Sequence, residues 1–262
     1  MNAHRYLLPL LTLSMLLGAT ASASAPLELT WTIDGVKREA LVFPPAPAFA
    51  AAKAPVVFGF HGHGGSMQSA RGMRFQELWP EAVVVYMQGL PTPSRIDPAG
   101  NRSGWQQERG QVGDRDLKFF DAVLATLHRK FSIDDRRIYA TGFSNGAIFS
   151  LLLWSERGKE LAAIGVCAGI LFPGVSLTVP RPAIDIGGRA DQVAVFALQQ
   201  ETWQKERTAN GCSATPQPCG PACSLYPSAK HAPVVTIVHP GGHVYPPWAS
   251  KRIAEFFRKH AL

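Results

Sequence analysis

Apolar and polar positions near the start of the chain follow the two-residue period of a strand. Residues 27–34 and 37–43 alternate apolar and polar side chains, and Asp34-Gly35 between them is typical of a hairpin turn. Short continuous apolar runs further on predict strands that are buried on both faces. These runs lie at residues 55–60, 82–87, 138–143, 161–167, 182–186 and 234–238.

Helical periodicity fills most of the intervals between these strands. In residues 114–129, Leu117, Phe120 and Leu124 recur every three or four positions, which predicts an amphipathic helix. Residues 89–112 are rich in Pro, Gly and Asn and predict a long irregular connection, a type that tends to be functional. Further helices are predicted at residues 68–78 (with Ser66 as the cap), 145–155, 191–208 and 248–259.

The order of these elements predicts the fold class. An N-terminal hairpin followed by alternating strands and helices predicts an α/β fold with a mainly parallel, doubly wound sheet and an antiparallel N-terminal hairpin. The 262 residues are 46% hydrophobic and 17% charged, a composition typical of globular proteins. Because no internal repeat or linker interrupts the pattern, we expect a single domain over residues 26–262.

Residues 1–25 are expected to be a signal peptide. Arg5 precedes an apolar stretch at residues 7–17, and small residues at 21–25 offer cleavage sites. The apolar stretch is too short to span a bilayer comfortably, and no later segment is long and apolar enough to do so. We therefore expect a secreted or periplasmic protein with no stable membrane insertion after signal cleavage.

The net charge of +7 is distributed rather than clustered. Basic pairs such as Lys37-Arg38, Arg136-Arg137 and Arg258-Lys259 fall at predicted element ends, and we interpret them as ordinary solvated surface. No long basic run interleaves with aromatic residues, so no nucleic-acid partner is expected.

Four cysteines bear on the expected compartment. Cys167 lies in an apolar run and is expected to be a buried, unreactive thiol. Cys212, Cys219 and Cys223 cluster in a loop rich in Pro and Gly, where an oxidising compartment favours one disulfide and leaves one thiol over. The pairing is open from the sequence, with Cys212–Cys223 slightly favoured. No histidine lies at ligand spacing in the cluster, so zinc is disfavoured there.

Ser144 is the candidate nucleophile. The predicted strand at 138–143 ends in the pattern Gly142-Phe143-Ser144-Asn145-Gly146 and passes directly into a predicted helix. A strand, a sharp turn with serine, and a helix are typical of a nucleophile elbow, in which the turn exposes the hydroxyl. The alternative is a glycine turn whose serine only caps the helix.

A serine nucleophile needs a base and an acid that orients the base. The last predicted strand leads into a Gly-rich loop with His243, the candidate base, whereas His239 at the strand end is the rival. Asp191 follows the strand at 182–186 and is the candidate acid, with Asp185 inside that strand as the alternative. The chain order serine, acid, histidine is the one expected of this arrangement.

The backbone amides of Asn145 and His63 are the candidate oxyanion-hole donors. One such donor comes from the residue after the nucleophile and the other from the loop after the third strand, here residues 61–65. We expect His61 to brace that loop and the His63 side chain to be incidental. No acidic residue is near His61 and His63 in sequence, so no metal site is expected, and the chemistry needs no cofactor.

Six segments together resemble the secreted esterase group that contains poly(3-hydroxybutyrate) depolymerases and feruloyl esterases. The segments are FGFHGHGGS at 58–66, YMQGLPTP at 86–93, SGWQ at 103–106, GDRDLKFFDAVLATL at 113–127, IYATGFSNGA at 138–147 and PGGHVYPPW at 240–248. The resemblance implies an α/β-hydrolase fold with Ser144, Asp191 and His243 as triad. It also implies that residues 103–106, with Trp105 and Gln106, border the acyl pocket.

These expectations combine into a serine esterase that acts on feruloyl, acetyl or 3-hydroxybutyrate-type esters, small or oligomeric, through an acyl-enzyme. One alternative is a serine peptidase on the same fold, which extra acidic residues near the pocket would favour. The other is a non-catalytic binding protein on a hydrolase scaffold, which the presence of all three triad candidates disfavours.

Overall fold

The computed structural model describes residues 24–262, so the expected signal peptide lies outside the described residues except for its last two positions. The strands are β1 (Leu27–Ile33), β2 (Val36–Phe43), β3 (Ala54–Phe60), β4 (Val83–Met87), β5 (Leu90–Pro91), β6 (Ser103–Gly104), β7 (Ile133–Phe143), β8 (Ala163–Cys167), β9 (Ala183–Gly188), β10 (Gln217–Pro218), β11 (Cys223–Tyr226) and β12 (Val234–His239). The helices are α1 (Met67–Arg71), α2 (Phe75–Leu78), α3 (Arg115–Lys130), α4 (Asn145–Arg157), α5 (Phe196–Asn210) and α6 (Ala249–Phe257).

Ten strands form one sheet in the order β1-β2-β4-β3-β7-β8-β9-β12-β11-β10. The six strands from β4 to β12 in that order are mutually parallel, and the pairs at both ends are antiparallel. The predicted α/β fold with a mainly parallel sheet and an N-terminal antiparallel hairpin is therefore confirmed. The second antiparallel end, β10 and β11, was not predicted.

Two apolar layers cover the sheet. On one face α3 and α4 pack on the strands, with Phe120 tilted over Phe58 at 4.7 Å between ring centroids. On the other face α2 and α6 pack on the strands, and Phe257 stacks on Tyr139 at 4.6 Å. Continuous apolar strands are expected wherever both faces of a parallel sheet are covered.

Two predicted helices differ from the structure for local reasons. The helix expected at 68–78 is split into α1 and α2, because Arg74 adopts a left-handed conformation with φ of 59°. The helix expected from residue 191 begins at Phe196, because the Asp191 carboxylate accepts the backbone N–H groups of Val193 and Ala194 and folds a turn instead. β7 also begins at Ile133, five residues before the predicted start.

Arg38 is buried, which corrects the expectation of a solvated basic pair. Its side chain is fully buried against that of Asp116, with Nη2 and Oδ1 2.8 Å apart. The guanidinium also donates to the carbonyls of Gln88 and Arg115 and lies 4.2 Å from the Phe119 ring centroid. Burial lowers the pKa of Arg38. The pair joins β2 to the start of α3.

The disulfide joins Cys219 and Cys223, so the favoured pairing of Cys212 with Cys223 is wrong. The short β10–β11 hairpin holds the two paired residues opposite each other, with their Cα atoms 5.1 Å apart and a backbone hydrogen bond between them. Cys212 precedes the hairpin, and its thiol donates to the carbonyl of Ala232. Cys167 is a buried free thiol, and burial raises its pKa.

Within residues 24–262, none of the helices combines the length and apolar character that a membrane crossing requires.

Candidate active site

The sheet brings three sequence-distant residues together at one edge. Ser144 follows β7, Asp191 follows β9, and His243 follows β12, each just beyond the carboxyl end of its strand. Because the three strands are parallel members of one sheet, their ends face the same side of the molecule. Sites in open α/β sheets form outside the carboxyl ends of the strands, which is where these three lie.

Ser144 lies in a strained turn between β7 and α4. Its φ is 55° and its ψ is −119°, a conformation that L-residues other than glycine rarely adopt. A side chain at Gly142 would lie 2.3 Å from the Gly146 carbonyl oxygen, and one at Gly146 would lie 2.3 Å from that of Phe60. Both flanking positions therefore require glycine. The serine hydroxyl makes no capping hydrogen bond to α4, which leaves it free for other partners.

A continuous hydrogen-bond chain connects the three candidates. His243 Nε2 lies 2.9 Å from Ser144 Oγ, and His243 Nδ1 lies 2.8 Å from Asp191 Oδ2. Since the carboxylate accepts, Nδ1 carries the proton of the neutral ring and Nε2 accepts from the serine hydroxyl. This tautomer is the one that a general base acting on Ser144 requires.

Asp191 is held from several sides. Its side chain is fully buried, and Oδ1 accepts the N–H groups of Val193 at 2.9 Å and Ala194 at 3.0 Å. Its other oxygen, Oδ2, also accepts from Gln199 Nε2 at 3.1 Å. Sequence reasoning missed Gln199, which lies in α5 and carries no local motif. The carboxylate is thus fixed before it contacts His243.

The two rival residues have other surroundings. Asp185 lies within β9 and is buried beside Glu206 of α5, and no N–H or O–H donor of another described residue reaches its carboxyl oxygens. His239 ends β12 and packs edge-on against Trp248, with 6.5 Å between ring centroids. The structure places neither in the hydrogen-bond chain with Ser144.

The backbone amides of Asn145 and His63 lie at the correct end of the sheet for an oxyanion hole. Asn145 is the first residue of α4, and the first amides of a helix have no helical acceptor. The 61–65 loop passes close to the nucleophile, since a side chain at Gly62 would lie 3.6 Å from Ser144 Cβ. Both amides belong to backbone that borders Ser144.

His61 braces the loop, as expected. Its Nδ1 donates to the Gly62 carbonyl at 2.8 Å, and its Nε2 accepts the Gly89 N–H at 3.0 Å. Burial lowers the pKa of His61 to about 4, so the ring is neutral. The ring therefore ties the loop after β3 to the segment after β4.

The His63 side chain has a structural partner, contrary to the expectation that it is incidental. The ring is buried, and Nε2 lies 3.0 Å from Asp97 Oδ2. The same Asp97 oxygen accepts the Arg102 N–H at 2.9 Å. The Arg102 amide, and secondly His63, lower the pKa of Asp97. His63 therefore anchors part of the long 89–112 segment over the site.

Trp105 and Gln106 lie behind the cavity rather than on its wall. Both are fully buried. The Trp105 ring stacks on Phe149, while its backbone N–H and C=O pair with the Asn145 side chain at 2.7 and 3.1 Å. Gln106 pairs with the Asp116 backbone and side chain at the start of α3. Trp105 thus supports the elbow from inside through Asn145, whereas Gln106 holds the start of α3, and neither residue lines the cavity beside Ser144.

A cavity of about 60 Å³ opens beside Ser144 and Asn145. Most of its wall is apolar, and Gln107 rather than Gln106 contributes to it. The 94–97 segment and Val193 cover it from opposite loops, although neither was among the predicted site residues. The main apolar residues are Ile96, Ile148, Ile170, Phe172, Val193 and Ala194. Among residues 24–262, no cluster of three or more His, Cys, Asp or Glu is arranged to hold a metal ion.

Sequence comparison relates the chain to esterases. The profile of the family described as Esterase PHB depolymerase matches residues 38–204. Probable feruloyl esterase C of Aspergillus clavatus is 29% identical over 199 residues, which cover 72% of this chain and 69% of that protein. Feruloyl esterase D of Neurospora crassa is 27% identical over 164 residues, which cover 60% of this chain and 54% of that protein.

Solved structures share the fold at low sequence identity. An acetyl xylan esterase from Aspergillus awamori matches with a TM-score of 0.69 and 12% identity, covering 90% of this chain and 99% of the other. A ferulic acid esterase from Anaeromyces mucronatus, solved with ferulic acid, matches with a TM-score of 0.64 and 13% identity, covering 92% of each chain. The α/β-hydrolase fold is therefore common to all three.

Proposed function

The chain belongs to the Esterase PHB depolymerase family and is a carboxylic ester hydrolase, and we propose that Ser144, His243 and Asp191 perform the hydrolysis as a catalytic triad. The observation that carries the proposal is the hydrogen-bond chain from Ser144 Oγ through His243 to Asp191, at 2.9 and 2.8 Å. These two hydrogen bonds supply both requirements of a serine nucleophile, a base within reach and an acid that orients the base.

In the first half-reaction His243 Nε2 takes the proton of Ser144 Oγ, and Oγ bonds to the ester carbonyl carbon. The Asp191 carboxylate stabilises the imidazolium that forms. The amides of Asn145 and His63 donate to the developing oxyanion, and one such donor contributes about 2.7–4 kcal/mol to transition-state stabilisation. His243 then protonates the alcohol as its bond to the carbonyl carbon breaks, which leaves an acyl-Ser144.

In the second half-reaction water replaces the alcohol. His243 Nε2 takes a proton from the water, whose oxygen bonds to the acyl carbon, and the same two amides hold the oxyanion. The proton then returns from His243 to Ser144 Oγ as the acid leaves. Every group that catalyses a step of this cycle is a side chain or a backbone amide of the protein. The proposed substrates are feruloyl, acetyl or 3-hydroxybutyryl esters.

We place the enzyme outside the cytoplasm. The Cys219–Cys223 disulfide supports an oxidising compartment, and the leader-like residues 1–25 agree with export. The proposed catalytic domain covers residues 26–262.

Replacement of the nucleophile tests the proposal. Ser144→Ala should abolish hydrolysis of 4-nitrophenyl acetate, while the circular dichroism spectrum and melting temperature show that the variant is folded. Ser213→Ala, at an exposed serine far along the chain, is the matched control and should retain full activity. Rapid acid quenching followed by mass spectrometry should find the acyl group on Ser144. Substantial turnover by Ser144→Ala would exclude the mechanism.

A further inference from the structure

A tight turn at residues 94–97 covers the cavity beside Ser144. Two backbone hydrogen bonds close the turn, from the Ser94 N–H to the Asp97 carbonyl at 3.0 Å and from the Asp97 N–H to the Ser94 carbonyl at 3.1 Å. Arg95 and Ile96 form its tip, and both line the cavity. The outer side of the tip faces solvent, since Ile96 is 49% exposed.

The 94–97 turn is held at its base and at its tip. At the base, Asp97 contacts the buried His63 ring and the Arg102 N–H. At the tip, Arg95 Nη2 donates to the Val193 carbonyl at 2.8 Å, across the cavity. The base contact is buried on the His63 side, whereas the tip contact is exposed. The tip is therefore the part that opens more easily, since water replaces an exposed hydrogen bond at small cost.

The cavity under the turn is small. An apolar cavity that accepts benzene measures about 150 Å³, and one water takes about 30 Å³ of liquid volume. The cavity beside Ser144 measures about 60 Å³, which is less than half of the benzene-binding volume. A group of acetyl size therefore fits inside it, whereas the ring of a feruloyl group would extend beyond it while the turn stays closed.

The position of the cavity assigns it to the acyl side of an ester. In the proposed function His243 must protonate the leaving alcohol, so the alcohol lies on the His243 side of Ser144. His243 does not line the cavity, whereas Ser144 and Asn145 do. The acyl group, whose carbonyl oxygen points to the Asn145 amide, thus enters the cavity.

We infer that the 94–97 turn, tied by Arg95 to the Val193 carbonyl, limits the acyl group to acetyl size, and that Arg95 and Ile96 determine this specificity. The inference rests on the proposed function and narrows its three acyl classes to one. It makes acetylated compounds the substrate class and makes feruloyl esters poor substrates of the closed site.

Esters that share one alcohol provide the test, because only the acyl group then varies. The purified protein is assayed with the 4-nitrophenyl esters of acetic, butyric and ferulic acid, and kcat/KM is measured for each. We expect the acetate to exceed the ferulate by at least tenfold. In Arg95→Ala and in Ile96→Ala the acetate-to-ferulate ratio should fall at least threefold. Arg109→Ala, an exposed arginine of the same long segment, is the matched control and should keep the wild-type ratio.

Labelling of Ser144 by sulfonyl fluorides gives a second measurement that needs no turnover. Methanesulfonyl fluoride should label Ser144 faster than phenylmethanesulfonyl fluoride, and Arg95→Ala should narrow that difference. An equal preference for acetate and ferulate in the wild type, or an unchanged ratio in both variants, would overturn the inference while the esterase assignment stands. Absence of Ser144-dependent hydrolysis of every ester would instead overturn the proposed function and the inference with it.

Discussion

Gln199 and His243 share one oxygen of Asp191. Gln199 Nε2 lies 3.1 Å from Asp191 Oδ2, and His243 Nδ1 lies 2.8 Å from the same atom. Gln199 is fully buried, and its amide also donates to the Ala194 carbonyl at 2.6 Å. The amide therefore holds the carboxylate oxygen that contacts the imidazole. We propose that Gln199 is a positioning residue that acts through Asp191.

Gln199→Leu should lower kcat about tenfold and leave KM nearly unchanged. The change removes the hydrogen bond to the charged acceptor Asp191, worth about 1.5–3 kcal/mol, and the one to the Ala194 carbonyl, while Gln199 itself does not line the cavity. Steady-state kinetics with 4-nitrophenyl acetate measure the effect, and the pH profile of kcat/KM should shift because the partner of His243 is less well held. Gln200→Leu, at the exposed neighbouring position, is the control. A rise in KM alone would show that Gln199 has a merely structural role.

Asp191→Asn should reduce kcat by roughly 10⁴-fold, as expected when the residue that selects the histidine tautomer loses its charge. Asp185→Asn, at the other candidate acid, should stay within a few-fold of the wild-type rate because Asp185 does not contact His243. The same ester assay measures both variants. If Asp185→Asn were the more damaging change, the acid would have to be reassigned.

Asp185 and Glu206 form a buried carboxyl pair between β9 and α5. Burial raises the pKa of Asp185 from an ordinary value of 3.8 to about 7. Burial, and secondly the Asp185 charge, raise the pKa of Glu206 well above its ordinary value. No N–H or O–H donor from other described residues reaches either carboxyl, so a shared proton is what satisfies them.

The pair should make the protein less stable at alkaline pH. An acid with a raised pKa in the folded state contributes its full stability below the unfolded pKa of 3.8, and that contribution is lost as the pH rises through about 7. The melting temperature of the wild type should therefore fall between pH 5 and pH 9. In Asp185→Asn this fall should be smaller by about 4 °C or more. Calorimetry at both pH values measures it. If the melting temperatures of variant and wild type changed equally between the two pH values, the shared proton would be contradicted.

Asp116→Ala should destabilise the protein by about 3–5 kcal/mol, because it leaves the Arg38 guanidinium buried without its charge partner. Denaturant unfolding measures the difference. Lys37→Ala is the matched control: Lys37 pairs with Glu39 at the surface, where its side chain is 68% exposed, and such pairs contribute about 0–1 kcal/mol. Equal effects of the two changes would mean that Arg38 is hydrated in solution.

Much of the fold and the choice of site candidates followed from local pattern. In a chain that alternates strands and helices, apolar runs such as residues 138–143 form the buried strands of a parallel sheet. Ser144, Asp191 and His243 each follow such a run. Because parallel strands end on one side, residues after different strands meet without any contact being known in advance. The glycines flanking Ser144 were the most specific local signal, because they are part of the pattern that predicts a nucleophile elbow.

Polar contacts between distant segments were not predictable in this way. Arg38 meets Asp116, and His63 meets Asp97, at separations along the chain that no periodic pattern encodes. The Cys219–Cys223 pairing depends on the two-residue strand β10, which is too short for any alternation to show. The predicted start of α5 at residue 191 is five residues too early, because the Asp191 side chain accepts backbone N–H groups of Val193 and Ala194. The amino-acid composition of the segment does not indicate such a contact.

The backbone conformation of Ser144 lowers the stability of the folded protein. A non-glycine residue at φ 55° and ψ −119° costs the folded state about 1–3 kcal/mol. Glycine would adopt this conformation without that cost. If Ser144 is the nucleophile that we propose, the serine lowers resistance to unfolding in exchange for a reactive hydroxyl, and Ser144→Gly would give a more stable but inactive protein.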